Sequence, residues 1–338
     1  MTSSQPLISV IMPVHNAGQY LLAAIESILK QKDILFEFII VDDHSTDSAI
    51  LDLPENIIND PRIKLIASPE TGVVATMRHG YLLSRGDYIA RMDADDIALP
   101  ERLSKQLYYL QANPEIGIAG GQVKIISDSA VAEGFQYYES WLNRLCTSSE
   151  IENELFVESP IPNPTAFFRR HVYEQLDGYQ ETEWAEDYDL WLRAHAAGIK
   201  MGKPQGVVLH WREHPQRLTH NDSRYASKLF MKARAHYLSK SHYLNQRKAV
   251  IWGTGPTGLY FHDVLRKQNT EIVAFFEVNP RRIGGIKRNL PVLHFDAANR
   301  FPEALIIGAV GSRGAREKMR QALCNMGKRE GIDFLFAA

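Results

Sequence analysis

The sequence feature that most constrains the fold is an alternation of short apolar runs with segments of helical periodicity. Over the first hundred residues, apolar runs predict four buried strands, at 7–14, 36–41, 63–67 and 87–92. Apolar residues at helical spacing begin near residue 18 and recur over 71–84. Strands that alternate with helices form a parallel sheet covered on both faces, so we predict an α/β fold with a mostly parallel sheet.

The same alternation begins again near residue 249, which predicts a second domain. A strand, a glycine-rich loop, a helix and a further strand follow one another between residues 249 and 276. A basic segment with helical periodicity precedes them. We therefore expect three parts: a larger domain over 1–220, a helical connector over 221–246 and a small Rossmann-like domain over 247–338.

Length and composition are those of an ordinary globular protein. The 338 residues suffice for about two domains, and 45% of them are hydrophobic while 23% are charged. No apolar run approaches the roughly 18 residues of a membrane helix, and no cleavable leader is recognisable. Cys146 and Cys324 are too few for a disulfide framework or a zinc site. We therefore expect a cytoplasmic protein with no integral membrane segment.

The net charge of -2 conceals an asymmetry between the two parts of the chain. Residues 217–338 contain 21 Lys and Arg against 9 Asp and Glu, a net charge of +12. Residues 1–216 contain 17 against 31, a net charge of -14. A basic half suits an anionic polymer such as nucleic acid, but it is equally compatible with a surface that mates with the acidic half.

Polar residues follow the predicted strands of the first domain, where ligands of parallel sheets bind. They are His15, Asn16, Asp42, Asp43 and the cluster at 93–96. Three carboxylates, those of Asp93, Asp95 and Asp96, can converge on Mg²⁺ or Mn²⁺, with phosphate oxygens completing the coordination shell. The alternative is a solvated acidic turn in which Asp96 caps the helix that follows Pro100.

Several motifs place these residues in a recognisable order. The segments SVIMPVHN, IVDDHSTD, GDYIARMDADD and EDYDLWLR stand at 9–16, 40–47, 86–96 and 186–193. In order and spacing, the region from about 6 to 216 resembles the family 2 glycosyltransferases of the GT-A fold. The resemblance implies a nucleotide-sugar-binding domain, a UDP-sugar donor and a divalent metal, Mn²⁺ or Mg²⁺.

The resemblance also implies a role for each residue of the donor site. The nucleoside would lie against Pro13, Val14, His15 and Asn16, and Asp43 with Asp42 beside it would accept the uracil imide proton. Arg78 would contact the diphosphate, although His79 stands where the family has asparagine. Further implied roles are donor binding for Asp93 and Ala94, and metal binding for Asp93, Asp95 and His214.

Glu186 and Asp187 open a predicted helix. By themselves they suit a helix N-terminus, where carboxylates interact favourably with the helix dipole. The resemblance implies instead that Asp187 is the general base that deprotonates the acceptor hydroxyl, with Glu186 in reserve, and that the anomeric configuration is inverted. Nearby Trp184, Tyr188 and Trp191 either stack on a sugar or base, or belong to the core.

The glycine-rich loop at 253–258 is close to a dinucleotide-binding fingerprint. Gly253, Gly255 and Gly258 follow a strand and open a helix, and Glu277 stands where an acidic residue would bind a ribose hydroxyl. NAD could bind there, but no second catalytic set accompanies the loop. The preferred interpretation is a scaffold without cofactor.

The acceptor is predicted from a narrower resemblance. Segments of the C-terminal half, among them 140–145, 250–252 and 330–335, resemble the galactosyltransferases that modify queuosine in tRNA. This resemblance implies galactose as the hexose and tRNA as a partner, which the basic half of the chain also favours. Two alternatives are a glycosyltransferase of surface-polysaccharide or lipid-linked glycan synthesis, and a nucleotide-binding protein with an idle transferase site.

Overall fold

The computed structural model describes residues 5–338, which form two compact units. The first unit contains residues 5–151, Pro160–Thr182 and Ala197–Asn221. The second unit contains Glu152–Ser159, Glu183–Ala196 and Asp222–Ala338. Within 5–338, no helix combines the length and the apolarity needed to cross a membrane.

The strands are numbered in chain order. They are β1 (Leu7–Val14), β2 (Leu35–Asp42), β3 (Ile63–Ala67), β4 (Tyr88–Arg91), β5 (Ile97–Ala98), β6 (Ile116–Ala119), β7 (Gln122–Ile126), β8 (Phe167–Arg169), β9 (Lys200–Gly202), β10 (Val207–Arg212), β11 (Ala249–Trp252), β12 (Ile272–Glu277), β13 (Ile286–Lys287), β14 (Leu290–His294), β15 (Leu305–Gly308) and β16 (Phe334–Phe336).

The α-helices are numbered in the same way. They are α1 (Leu21–Leu29), α2 (Glu55–Ile58), α3 (Val73–Leu82), α4 (Arg102–Ala112), α5 (Glu133–Arg144), α6 (Ser148–Glu154), α7 (Arg170–Gln175), α8 (Glu186–Ala196), α9 (Leu218–Asn221), α10 (Ser227–Lys240), α11 (Pro256–Lys267) and α12 (Ala315–Asn325).

The first unit is built on a seven-stranded sheet in the order β3-β2-β1-β4-β8-β6-β9, in which only β8 runs antiparallel to its neighbours. Successive residues of β1, including Val10 and Ile11, are fully buried, so both faces of this central strand are covered. A second sheet joins β5, β10 and β7. The α/β fold with a mostly parallel sheet is therefore confirmed.

The parallel pairing of β1 with β2 and β4 determines where the polar motifs lie. Val14 is level with Asp42 at the carboxyl ends of β1 and β2, and Ile11 is level with Arg91 at the end of β4. The residues that follow these strands therefore emerge at one edge of the sheet, as expected for the ligand edge of an α/β fold.

The second unit contains a six-stranded sheet in the order β13-β14-β12-β11-β15-β16, parallel except for the edge strand β13. The glycine-rich loop joins β11 to α11. A Cβ atom at Gly258 would lie 2.0 Å from the carbonyl oxygen of Gly253, so only glycine allows this helix to approach the loop. The sequence thus specifies the backbone shape of a Rossmann-like unit.

The structure divides the chain differently from the predicted sequential domains. The first unit ends at residue 221, close to the predicted boundary, but α8 and residues 152–159 group with the second unit. The reason is the packing of α8 on α10: the ring of Tyr188 stacks on that of Phe230 with centroids 5.2 Å apart, and Asp189 accepts a hydrogen bond from Tyr237 at 2.7 Å. The expected connector is therefore a part of the second unit.

Candidate active site

The loop after β1 is tied to the loop after β2 through backbone groups. The Asp43 amide donates to the carbonyl oxygen of Val14 at 2.7 Å, and Nδ1 of His15 lies 2.6 Å from the carbonyl oxygen of Asp43. His15 is exposed and Pro13 half-buried, whereas the side chain of Val14 is fully buried in the core. Of the residues predicted to line the nucleoside pocket, Val14 therefore offers no accessible side chain.

Asn16 holds the second loop rather than presenting a free amide. Its backbone adopts a left-handed conformation with φ of 50°, and its Oδ1 accepts hydrogen bonds from the amides of Thr46 at 2.7 Å and Asp47 at 3.2 Å. Asparagine tolerates this conformation better than most residues. Asn16 thus fixes the loop that follows β2, and its side-chain oxygen is already occupied.

Asp43 connects the carboxyl edge of the sheet to helix α3. Both of its carboxylate oxygens accept the amide of Gly72, at 2.9 and 3.0 Å, immediately before the helix begins. A carboxylate offers about four acceptor positions, so this single donor leaves capacity for another. Arg78 on α3 is exposed and has no hydrogen bond or ion pair within the described part of the chain. Asp42 accepts the amide of Ser45 at 3.0 Å.

Asp95 and His214 form the central contact of the candidate metal site. Oδ2 of Asp95 lies 2.8 Å from Nε2 of His214, and the His214 Nδ1 lies 3.2 Å from Oε1 of Gln216. The hydrogen bond to Asp95 raises the pKa of His214 above its usual value, against the opposing effect of burial. With Nδ1 donating to Gln216, loss of the other ring proton would leave Nε2 as a metal ligand.

Asp93 has a different environment. Its Oδ1 accepts a hydrogen bond from Nε of Arg91 at 2.8 Å, and the Arg91 guanidinium lies 5.1 Å from the ring centre of Tyr179. Arg91 is buried, whereas Asp93 is partly exposed. The two predicted metal ligands of this loop thus differ, because Asp93 is already neutralised by a cation of the protein.

Asp96 is buried below the loop and does not cap helix α4, whose N-terminus has no side-chain cap. Its Oδ1 accepts the amide of Arg212 at 2.7 Å, and its Oδ2 has no partner among residues 5–338. Burial, together with the charges of Asp95 and Asp93, raises the pKa of Asp96 well above its usual value. Burial also lowers the pKa of Arg102, below the same loop, to about 10.

The donor atoms of Asp95 and His214 fit a divalent cation. Two neighbouring ligands of an octahedral ion, each about 2.1 Å from the metal, lie about 3.0 Å apart, close to the observed 2.8 Å. A carboxylate together with an imidazole suits Mn²⁺ better than Mg²⁺, which prefers oxygen ligands. Residues 5–338 contain no cluster of three or more His, Cys, Asp and Glu side chains placed for a metal. The remaining ligands would therefore come from phosphate oxygens and water.

Helix α8 of the second unit carries the predicted catalytic carboxylates. Glu186 is buried, and both of its oxygens accept the hydroxyl of Tyr225, at 3.2 and 3.0 Å. Asp187 is partly exposed, and its Oδ1 accepts the amide of Tyr188 at 2.7 Å. Asp187 is therefore the more accessible of the two carboxylates.

The aromatic residues around α8 belong to the core. Trp184, Tyr188 and Trp191 are buried. The indole nitrogen of Trp184 donates to Asp189 at 2.9 Å, and Asp189 also accepts from Arg193 at 2.6 Å. The core interpretation of these aromatics is confirmed, and Asp189 is a structural residue although it lies in the same acidic motif.

The acidic residue of the glycine-rich unit is saturated by protein donors. One oxygen of Glu277 accepts the amides of Val278 and Asn279, at 2.9 and 3.2 Å. The other accepts the hydroxyl of Thr254 and a nitrogen of Arg282. Because a carboxylate has about four acceptor positions, a ribose hydroxyl would have to displace one of these donors. That geometry favours the scaffold interpretation of the loop.

Sequence analysis missed the cations that surround the acidic loop. Arg91 and Arg212 stand two residues before Asp93 and His214, respectively, and Arg102 opens helix α4. In the sequence, only their short distance from the acidic residues and His214 points to a role. That signal is weak, because arginine beside an acidic motif is common on protein surfaces. Their burial depends on the sheet order, which no local pattern specifies.

Comparison of the sequence with known proteins identifies glycosyltransferases. Residues 9–177 match the family model described as glycosyl transferase family 2. An uncharacterized glycosyltransferase of Haemophilus influenzae is 32% identical over 70% of this chain and 75% of its own length. The putative colanic acid biosynthesis glycosyl transferase WcaA of Escherichia coli is 28% identical over 66% of this chain and 79% of its own.

Solved structures with the same fold include two nucleotide-sugar complexes. Staphylococcus aureus TarS (residues 1–349) with UDP-GlcNAc has a TM-score of 0.55 at 19% identity, covering 70% of this chain and 67% of TarS. The mannosyltransferase PcManGT of Pyrobaculum calidifontis with GDP-Man and Mn²⁺ has a TM-score of 0.50 at 18% identity, covering 70% of this chain and 63% of that protein. At these identities the similarity establishes the fold alone.

Proposed function

The chain belongs to glycosyltransferase family 2 and has the GT-A fold, and on this premise we propose that it transfers a hexose from a UDP-sugar to a hydroxyl of a growing glycan, with inversion. The observation that carries the proposal is the contact between Asp95 and His214 at the carboxyl edge of the parallel sheet. The TarS complex with UDP-GlcNAc supports a UDP-sugar as donor.

In the proposed donor site, the protein supplies groups for both ends of the nucleotide. Asp43 has acceptor capacity left for the uracil imide, and Arg78, whose guanidinium has no ion pair with residues 5–338, would contact the diphosphate. Asp95 and neutral His214 would hold the divalent cation, which supplies charge neutralisation of the leaving diphosphate. Mn²⁺ in the PcManGT complex supports this assignment.

In the proposed chemical step, Asp187 acts as the general base. The acceptor oxygen forms a bond to the anomeric carbon while the bond from that carbon to the diphosphate oxygen breaks. The acceptor proton passes to the Asp187 carboxylate, and attack from the face opposite the leaving group inverts the configuration. The partial exposure of Asp187, against the buried and hydrogen-bonded Glu186, supports this choice.

The glycan acceptor is favoured by WcaA, whose name refers to biosynthesis of colanic acid. Queuosine in tRNA is the second candidate, supported by the net charge of +12 over residues 217–338. Part of that charge is neutralised within the second unit by carboxylates that precede residue 217, because Lys232 pairs with Glu183 and Arg234 with Glu158. The galactosyltransferase resemblance and the tRNA acceptor stay predictions, and the glycan acceptor has the stronger support.

The proposal is tested by assaying UDP release from several UDP-hexoses with Mn²⁺, in the presence of lipid-linked glycans, polysaccharide fragments or queuosine-containing tRNA. We expect release to depend on both the metal and a glycan acceptor. Transfer to tRNA alone would contradict the glycan acceptor. An absence of UDP release with every donor and acceptor would favour a binding protein with an idle site.

A further inference from the structure

We propose that Arg212 is a positioning residue that holds Asp95 and His214 at the separation a divalent cation requires. The inference rests on the proposed function, since it assigns the metal to that pair. Arg212 is the last residue of β10, and it reaches the acidic loop through both its backbone and its side chain. Its side chain is only 12% exposed.

Two hydrogen bonds join Arg212 to the loop, one at Asp95 and one at Asp96. The Arg212 amide donates to Oδ1 of Asp96 at 2.7 Å, and its Nε donates to the carbonyl oxygen of Asp95 at 2.9 Å. The loop and the end of β10 are thus fixed to each other at two successive residues. The backbone that follows β10 places His214, two residues beyond Arg212, beside Asp95.

The far end of the guanidinium is fixed by a second set of contacts. It lies 4.4 Å from the ring centre of Tyr20, and its Nη1 donates to Oδ1 of Asp128 at 3.1 Å. The Tyr20 hydroxyl donates to the other oxygen of Asp128 at 2.7 Å, and the Tyr20 ring lies 5.2 Å from the ring of His214. The same tyrosine therefore contacts both the arginine and the metal-binding histidine.

The geometry requires a guanidinium rather than any cation. Its planar fork donates in two directions while its face stays on the Tyr20 ring, whereas a lysine ammonium is a point charge without that fixed geometry. Protein groups that orient metal ligands typically change metal affinity 10–100-fold when removed. In this proposal Arg212 is not itself a metal ligand, so its effect on the cation passes through Asp95 and His214.

The test measures Mn²⁺ binding directly, by electron paramagnetic resonance of free Mn²⁺ with UDP present and no acceptor. We expect Arg212→Ala to raise the Mn²⁺ dissociation constant about 10–100-fold, and Arg212→Lys to fall between this variant and the wild type. UDP binding measured in EDTA should be unchanged. Arg62→Ala is a matched control, because Arg62 also lies over an aromatic ring, that of Phe36, and pairs with Asp60 in the same unit.

The outcomes separate this inference from the proposed function. Unchanged Mn²⁺ affinity in Arg212→Ala, with binding intact in the wild type, would overturn the positioning role alone. An absence of Mn²⁺ binding in the wild type would overturn the metal site itself. If Arg212→Ala lowers Tm, the variants Tyr20→Phe and Asp128→Asn, which loosen the same guanidinium from its outer side, should still weaken Mn²⁺ binding. Unchanged Mn²⁺ affinity in both would contradict the proposal.

Discussion

Oδ2 of Asp95 lies 2.8 Å from Nε2 of His214, although 119 positions separate the two residues in the chain. By contrast, Asp93, two residues before Asp95, is paired with Arg91. The two aspartates of one short motif therefore have different partners in the structure: Asp95 faces a histidine, and Asp93 balances the charge of a buried arginine.

This difference predicts different effects of two matched substitutions. Asp95→Asn should nearly abolish Mn²⁺ binding and transfer while changing the unfolding free energy little, because His214, unlike arginine, can become neutral and keep a hydrogen bond to the asparagine. Asp93→Asn should cost about 1–3 kcal/mol of stability, because it removes the charged acceptor of buried Arg91. Urea unfolding and Mn²⁺ titration of both variants measure the two effects. Equal metal affinity in Asp95→Asn and the wild type would exclude Asp95 as a ligand.

The assignment of Asp187 as base predicts a loss of rate without a loss of binding. Asp187→Asn should lower the transfer rate about 10²-fold or more, while calorimetric binding of UDP with Mn²⁺ stays at the wild-type level. Glu186→Gln is the matched comparison. Glu186 lies in the same turn of α8 as Asp187, but its carboxylate accepts a hydrogen bond from Tyr225. If Asp187→Asn weakens UDP binding as much as it slows transfer, Asp187 is not the base.

Lys203 predicts an unusual dependence of stability on pH. Burial lowers the pKa of Lys203 to about 7, and among residues 5–338 its one side-chain hydrogen bond is to the carbonyl oxygen of Leu142 at 2.7 Å. The unfolded chain, with a lysine pKa near 10.4, binds this proton between about pH 7 and 10 whereas the folded chain does not. The contribution of Lys203 to stability therefore rises with pH over that window, by up to about 1.4 kcal/mol per unit.

Urea unfolding at pH 7 and pH 9 measures this slope. Lys203→Met should remove most of it, since the replacement has no titratable group. Lys30→Met, at the exposed position directly after α1, should keep the wild-type pH dependence. An identical slope in Lys203→Met and the wild type would show that Lys203 stays protonated in the folded protein.

The saturated carboxylate of Glu277 predicts that NAD and NADP leave the thermal stability unchanged. A ligand at one hundred times its dissociation constant would stabilise the folded state by about 2.7 kcal/mol, which a melting experiment detects. We expect no shift in Tm with either dinucleotide, because Thr254 and Arg282 occupy one oxygen of Glu277 and two backbone amides occupy the other. A clear upward shift would make the glycine-rich unit a cofactor site.

Local sequence patterns determined the elements and the motif-bearing edge of the sheet. The predicted strand at 63–67 coincides with β3, and the predicted strand at 249–252 coincides with β11. Hydrophobic periodicity reports the burial of contiguous residues, so it locates a strand or a helix well. It also placed the residues after β1 and β2 at one edge, because parallel strands direct their carboxyl ends to the same side.

Only the tertiary structure decided which polar groups share a site and which are already paired. Asp93 and Asp95 belong to the same motif in the sequence, yet Asp93 pairs with Arg91 and Asp95 contacts His214. Likewise, Glu277 has the sequence position of a residue that binds ribose, but its carboxylate oxygens accept hydrogen bonds from Thr254 and neighbouring donors. These pairings join residues from different elements, so they depend on strand order and helix packing. Periodicity along one segment carries no information about its spatial neighbours.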